Sequence, residues 1–266
     1  MIGLIVAIGG ILGGLHLEGG KLSDVTQFTA AMIVFGGTAG AVLVSMPLKV
    51  VRGGVGRLAG VFMDTSPAMD GLMEEIIGYA TKARKSGLVS LEEQALEIKD
   101  PFLNKALNLA VDGTDLQEIR KMLELEIALE EHQAESEAKV FECAGGYAPT
   151  VGIIGAVMGL IQVMKNLANI DEVGHGIAVA FVATVYGVGL ANLLLLPAAT
   201  KIKSRANAET QRKELILEGV TGIVEGLNPK LVRSKLEAYA RSAPSKPDKK
   251  KAAEQESADA PVSAEA

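Results

Sequence analysis

Two stretches decide what this chain can fold into. Residues 144–164 and 176–200 contain no Asp, Glu, Lys or Arg, and each is long enough for the about 20 apolar residues that a membrane-spanning helix requires. Lys165 closes the first, and Lys201, Lys203 and Arg205 follow the second at once. Gly187, Gly189 and Asn192 are poor choices for a helix in water but suit close helix packing in lipid. Pro149 lies near the start of one stretch and Pro197 near the end of the other. Proline frees a backbone carbonyl and kinks a helix, which is tolerated where neighbouring helices or water take up the freed group. If the two spans are antiparallel, both prolines sit at the same membrane surface.

Two further apolar runs precede these. Residues 1–17 are apolar and glycine-rich; a cleaved leader is the competing reading, but no basic segment precedes the run and no A-x-A-like site follows it, which favours a retained helix. The second covers residues 28–51, with Gly36, Gly37 and Gly40 suited to close contact and Pro47 near its end. The expected fold is therefore an all-α polytopic membrane protein with four transmembrane helices and a helical cytoplasmic domain. Spread evenly, 48% hydrophobic residues over 266 positions would describe an ordinary soluble protein; here the charges gather in two blocks and nearly vanish elsewhere. The net charge of −6 gives no reason to expect a nucleic-acid partner. The single Cys143 forms no internal disulfide and reads as a small apolar residue at a helix end.

Orientation follows from the basic residues at span ends. Arg52 and Arg57 follow span two, Lys139 precedes span three, and Lys201, Lys203 and Arg205 follow span four, whereas the short connections hold only Lys21. Both termini and the long middle block are expected to be cytoplasmic. The organisation reads as spans one and two in 1–51, a cytoplasmic helical block in 52–143, spans three and four in 144–200, a cytoplasmic helix in 201–241 and a disordered tail in 242–266, where Ala, Ser, Pro, Lys and Glu dominate.

Within the middle block, Ser66-Pro67 marks a helix start, with the helix stopping at Gly87. Ser90 to Glu93 and Thr114 to Gln117 each read as a capping box, and Asp100-Pro101 starts a helix that Gly113 ends. Leu116, Ile119, Leu123 and Ile127 fall at helical spacing, and this helix can run unbroken into span three and project the block away from the bilayer. Residues 202–239 read as one helix with Leu215, Leu217, Val220 and Val224 on its apolar side.

No Ser-His-Asp or Cys-His arrangement, phosphate-cradling glycine loop or metal-spaced cluster is present, so neither an enzyme nor a cofactor or metal site is expected. His16, His132 and His175 lie in separate segments and read as surface or interfacial residues. Ion-conducting proteins usually place an ionisable residue inside the membrane, yet no span interior holds one when Lys49 is set at the end of span two. Either the chain moves no ions, or a partner supplies the carboxylate.

Gly36-Gly37-Thr38 in span two, Tyr147-Ala148-Pro149 opening span three, Ala183-Thr184-Val185-Tyr186-Gly187 in span four and Pro197 resemble the MotA/PomA family of flagellar motor stator subunits. Residues 84–92, Arg-Lys-Ser-Gly-Leu-Val-Ser-Leu-Glu, closely resemble that family's rotor-facing segment, and the likeness extends over about residues 1–240. The resemblance implies a ring-shaped homo-oligomer in the bacterial inner membrane, surrounding a dimer of a MotB-type protein whose single helix carries an ion-binding aspartate. Ion passage would turn the ring against the rotor protein FliG. By position, Pro149 and Pro197 would flank the ion path, and Arg84, Lys85 and Glu92 would contact FliG. The residues alone also admit helix-end prolines and charges placed to suit helix dipoles.

In sodium-driven members of that family, threonines in spans three and four coordinate the ion. Thr184 retains one; Ala156 stands at the other position, two turns beyond Pro149, and a methyl group cannot ligate a hard cation. Proton coupling is the expectation. Two other readings remain: a TolQ/ExbB-type envelope energiser, which would leave the rotor-like segment unexplained, and a membrane scaffold without ion flux.

Overall fold

The computed structural model describes residues 2–61 and 69–242; the helix start at Ser66-Pro67 and the tail beyond residue 242 lie outside them. No β-strand occurs among the described residues. Three helical segments are long and apolar enough to span a membrane, Leu22–Ser45, Leu116–Lys165 and Ile170–Val224, and a shorter apolar helix precedes them, in keeping with a four-span protein with a helical domain. The chain forms two compact units, one from Met1–Thr65 and Leu129–Asn207, the other from Ser66–Ala128 and Ala208–Ala266.

The first unit opens with α1 (Ile2–Leu17) and a 3₁₀ turn (Leu22–Val25). A continuous helical segment follows, in which a π turn (Met32–Gly36) joins α2 (Phe28–Ala31) to α3 (Gly37–Ser45). The run expected to reach Val51 stops at Ser45. Met46 is extended, at φ −134° and ψ 146°, because a residue before proline is driven out of the helical region. Pro47 then accepts the N–H groups of Val50 and Val51 and opens α4 (Leu48–Val61), so Lys49 lies outside the span. The unit is completed by the C-terminal part of α8 (Leu116–Lys165), α9 (Ile170–Gly189), a second π turn (Leu190–Leu195) and the start of α10 (Leu196–Val224). Its outward side chains are the ones a soluble protein would bury: Phe181 is 71% exposed, and Ile153, Ile154 and Val157 are more than half exposed. Hydrocarbon rather than water suits such a surface.

The second unit holds α5 (Met69–Ser86), a 3₁₀ turn (Leu88–Leu91), α6 (Glu92–Ala95), α7 (Pro101–Val111), the start of α8, the remainder of α10 and α11 (Pro229–Ser242). Ile76, Leu103, Leu107, Ile119, Leu123, Leu215, Ile216 and Leu236 are fully buried in one core, and Ile127 and Val220 join it while Leu116 stays at the rim. Gly87, at φ +82°, ends α5 in the left-handed region that other residues rarely adopt. The expected single helix over 202–239 is broken where Gly226 turns at φ +69° and Asn228-Pro229 opens α11. Neither capping box forms as expected. Ser90 sits inside the 3₁₀ turn and its Oγ donates to the Gly87 carbonyl, while at the start of α8 the stronger acceptor Asp115 takes the Gln117 N–H in place of Thr114.

Asp100 caps α7 as expected: its Oδ1 accepts from the N–H groups of Phe102 and Leu103, both at 2.9 Å, and Pro101 stands in the first helical position. Its Oδ2 accepts from the largely buried Arg212, which also donates to Glu209 at 2.6 and 3.0 Å. Burial alone pushes the Asp100 carboxyl up; the Leu103 N–H, the Arg212 guanidinium and the Phe102 N–H outweigh it and hold it below 3.8. A depressed carboxyl contributes stability that is present above its unfolded value and lost as pH falls through the folded one. Asp100→Asn keeps the cap acceptor but removes the ion pair. At neutral pH it is expected to cost about 1 kcal/mol. It is also expected to flatten the fall in thermal stability that the wild type shows below about pH 4, read by calorimetry across pH.

Candidate functional site

α8 and α9 run antiparallel, and small residues bring their backbones together. Along α8 these are Gly152, Gly155 and Gly159; along α9 they are Gly176, Ala180, Ala183 and Gly187. A Cβ added at Gly159 would lie 2.6 Å from the Gly176 carbonyl oxygen and 2.8 Å from the Ala180 nitrogen, and one at Gly155 would lie 2.8 Å from the Ala183 Cβ. Such a seam substitutes van der Waals contact for the hydrophobic effect that lipid does not supply. Gly187 belongs to it, but Gly189 meets nothing within 4 Å, and Asn192 is exposed and donates to its own helix at the Val188 carbonyl, 2.9 Å away.

One side of this seam is covered. Ile33 approaches Gly155, Gly37 approaches Val151, and Ala30 and Val34 pack with Val179, Val182 and Ala183. At about 100° per residue, Pro149 and Ala156 fall on the flank of α8 opposite Val151, and Thr184 falls on the flank of α9 opposite Val182 and Tyr186. All three therefore line one open side of the pair, facing away from α3. Pro149 and Ala156 are half-buried; Thr184 is exposed, its Oγ1 donating to the Ala180 carbonyl at 3.1 Å. Pro197 is exposed and follows Leu196, whose side chain lies against Gly145, one turn before Pro149. The two prolines thus share one end of the antiparallel pair. The open side carries no charged residue among the described spans.

Arg84, Lys85 and Glu92 belong to the other unit. Arg84 and Lys85 occupy the last turn of α5, Glu92 opens α6, and all three are exposed. Lys85 borders a shallow surface groove with Glu74, Gly78 and Lys82. The three histidines are exposed, and no group of three potential metal ligands occurs among the described residues.

Two polar features escaped the sequence. The Tyr186 hydroxyl donates to the Val25 carbonyl at 2.6 Å and accepts the Gln27 N–H at 3.3 Å, pinning the connection between α1 and α2 against α9, with the Phe35 ring 6.1 Å from its own. A tyrosine inside an apolar span was the available signal, since a buried hydroxyl requires a partner. Glu137, only 5% exposed, accepts from Arg57 and from Gln133 at 2.9 Å.

A family model described as the MotA/TolQ/ExbB proton channel family matches residues 94–215, and one described as Motility protein A N-terminal matches residues 1–86. The chain is 36% identical over 240 residues to the uncharacterized protein YtxD of Bacillus subtilis, covering 90% of this chain and 87% of that one. It is 34% identical over 240 residues to Motility protein A of the same organism, covering 90% and 89%. Its fold matches the structure of C. jejuni MotAB with a TM-score of 0.87 at 31% identity, over 93% of this chain and 96% of that one. The family is one of channel and motility proteins rather than enzymes. On likeness over about nine-tenths of its length in both sequence and fold, the chain belongs to the MotA/PomA family of flagellar motor stator subunits, multi-pass proteins of the bacterial inner membrane.

Proposed function

We propose that the chain forms a homo-oligomeric ring around a MotB-type partner and conducts protons along the open side of α8 and α9, turning FliG through Arg84, Lys85 and Glu92. One observation carries this reading: Pro149, Ala156 and Thr184 line a single open, apolar face that has no carboxylate of its own. Moving a proton across the membrane requires an ionisable group, so a partner helix bearing an aspartate completes the path. The relative whose fold matches is itself described as MotAB. Sodium is the poorer candidate, because Ala156 offers no oxygen to a hard cation. Basic residues at the span ends, Arg52, Arg57, Lys201 and Lys203, support an orientation with both termini in the cytoplasm. Single exposed charge pairs contribute only about 0.2–1 kcal/mol, which suits a rotor contact that forms and releases repeatedly.

The test is complementation. A strain without stators of its own receives this gene with its neighbouring MotB-like gene, and swimming speed is followed across external sodium and with a protonophore. Speed independent of sodium and abolished by the protonophore is expected. Swimming that requires sodium and survives the protonophore sinks proton coupling. In the same strain, Arg84→Glu with Lys85→Glu is expected to reduce speed several-fold without reducing membrane levels of the protein; unchanged speed removes these residues from the rotor contact.

A further inference from the structure

Thr38 is a buried threonine of the second span whose setting lacks a local explanation. It is 4% exposed, and its Oγ1 has no hydrogen-bond partner among the described residues. Threonine within a helix ordinarily donates to the carbonyl four residues back. Thr81, Thr184 and Thr200 do so here, at 2.8, 3.1 and 3.0 Å. The corresponding residue for Thr38 is Val34, which lies in the π turn Met32–Gly36. A π turn shifts hydrogen bonding by one residue, so the carbonyl geometry that serves the other threonines is altered there.

Packing does not ask for a hydroxyl at this position. Val34, Thr38 and Val42 fall on one line at a spacing of four, and the two valines are 0% and 5% exposed. Clusters of Ala, Val, Phe and Ile lie around Val34 on one side and around Val42 on the other. Valine at 38 would have the same shape and would avoid the about 1–3 kcal/mol that an unsatisfied buried hydroxyl costs. The neighbouring Gly37 packs on Val151, two residues from Pro149, so the site lies at the depth of that proline.

We infer that Thr38, together with the carbonyl groups of the π turn, binds one internal water molecule on the covered side of α8. Water fits the chemistry: it accepts from the hydroxyl and donates to the second lone pair of a π-turn carbonyl such as that of Val34, whose oxygen also takes the Gly37 N–H. A cation does not fit, because the surrounding clusters hold no carboxylate to balance it. This side faces α3, away from the face of Pro149, Ala156 and Thr184.

Thr38→Val and Thr38→Ser separate the readings, measured on the full-length chain in lipid nanodiscs by thermal unfolding. A bound water makes T38V lower Tm by about 2–4 °C while T38S stays near wild type. An orphan hydroxyl makes T38V as stable as wild type or more so, and that result overturns the site. Where T38V does not assemble, X-ray radiolytic labelling of the wild-type chain decides. Hydroxyl radicals born at an internal water oxidise the side chains around it, so Val34 and Val42 take label despite their burial; no label on either overturns the site.

Discussion

Gly187→Val is expected to stop swimming altogether in a strain that depends on this chain as its stator. A Cβ at this position would lie 2.6 Å from the Ala148 carbonyl oxygen, 3.1 Å from the Gly152 Cα and 3.2 Å from the Pro149 Cα. All three are backbone atoms, so no side chain can swing aside; α8 and α9 must separate. Overpacking of this kind costs about 1–3 kcal/mol, and the separation also forfeits contacts along a seam that only dispersion holds together. Pro149 moves with the displaced backbone, which disturbs the open face that the proposed ion path uses. Swimming speed, membrane levels and the thermal stability of the purified chain read the effect together. Gly189→Ala is the control. Its Cβ meets nothing within 4 Å, and alanine removes about 1 kcal/mol of helix penalty, so the variant is expected to swim as wild type. Normal swimming of Gly187→Val disproves the register of the seam.

The contrast between Gly187 and Gly189 shows what was legible in the sequence. Both glycines announce close packing, but two residues along a helix point about 200° apart, and only the partner helix decides which one touches. The spans themselves were readable because lipid imposes length and charge rules that require no knowledge of neighbours. The cap at Asp100-Pro101 and the stop at Gly87 were readable for a similar reason, since their chemistry is local. Where two acceptors compete a residue apart, as at Thr114 and Asp115, the pattern alone picked the weaker one. Pro149 and Ala156 share a flank by spacing, yet that Thr184 faces the same side as they do depends on α3 covering the other. Glu137 was hidden by its context: at the end of a glutamate-rich stretch, nothing in composition distinguishes a buried carboxylate from its solvated neighbours.

That carboxylate underlies the second large effect. α4 crosses α8 with a glycine face, where a Cβ at Gly53 would lie 2.5 Å from the Glu137 Oε1 and one at Gly54 would lie 3.0 Å from the Glu137 carbonyl oxygen. The close approach lets Arg57 donate through Nε to Glu137, whose other oxygen takes the Gln133 amide. Arg57→Met removes the cation paired with this 5%-exposed carboxylate. Stranding a fully buried charge costs about 3–5 kcal/mol; Arg57 is 42% exposed and water reaches its side of the pair, so about 2–3 kcal/mol is expected. Glu137→Gln keeps the shape and leaves the arginine partly hydrated, and should cost less. Replacing both residues by methionine removes the stranded charge and should recover most of the loss, with a coupling of at least about 1 kcal/mol in the double-mutant cycle. Because the carboxylate is buried, added salt should change these differences little. Thermal unfolding of the four proteins in nanodiscs measures the cycle. Arg57→Met as stable as wild type would mean that the glycine contact alone holds α4 to α8, and that the ion pair follows from this packing without supporting it.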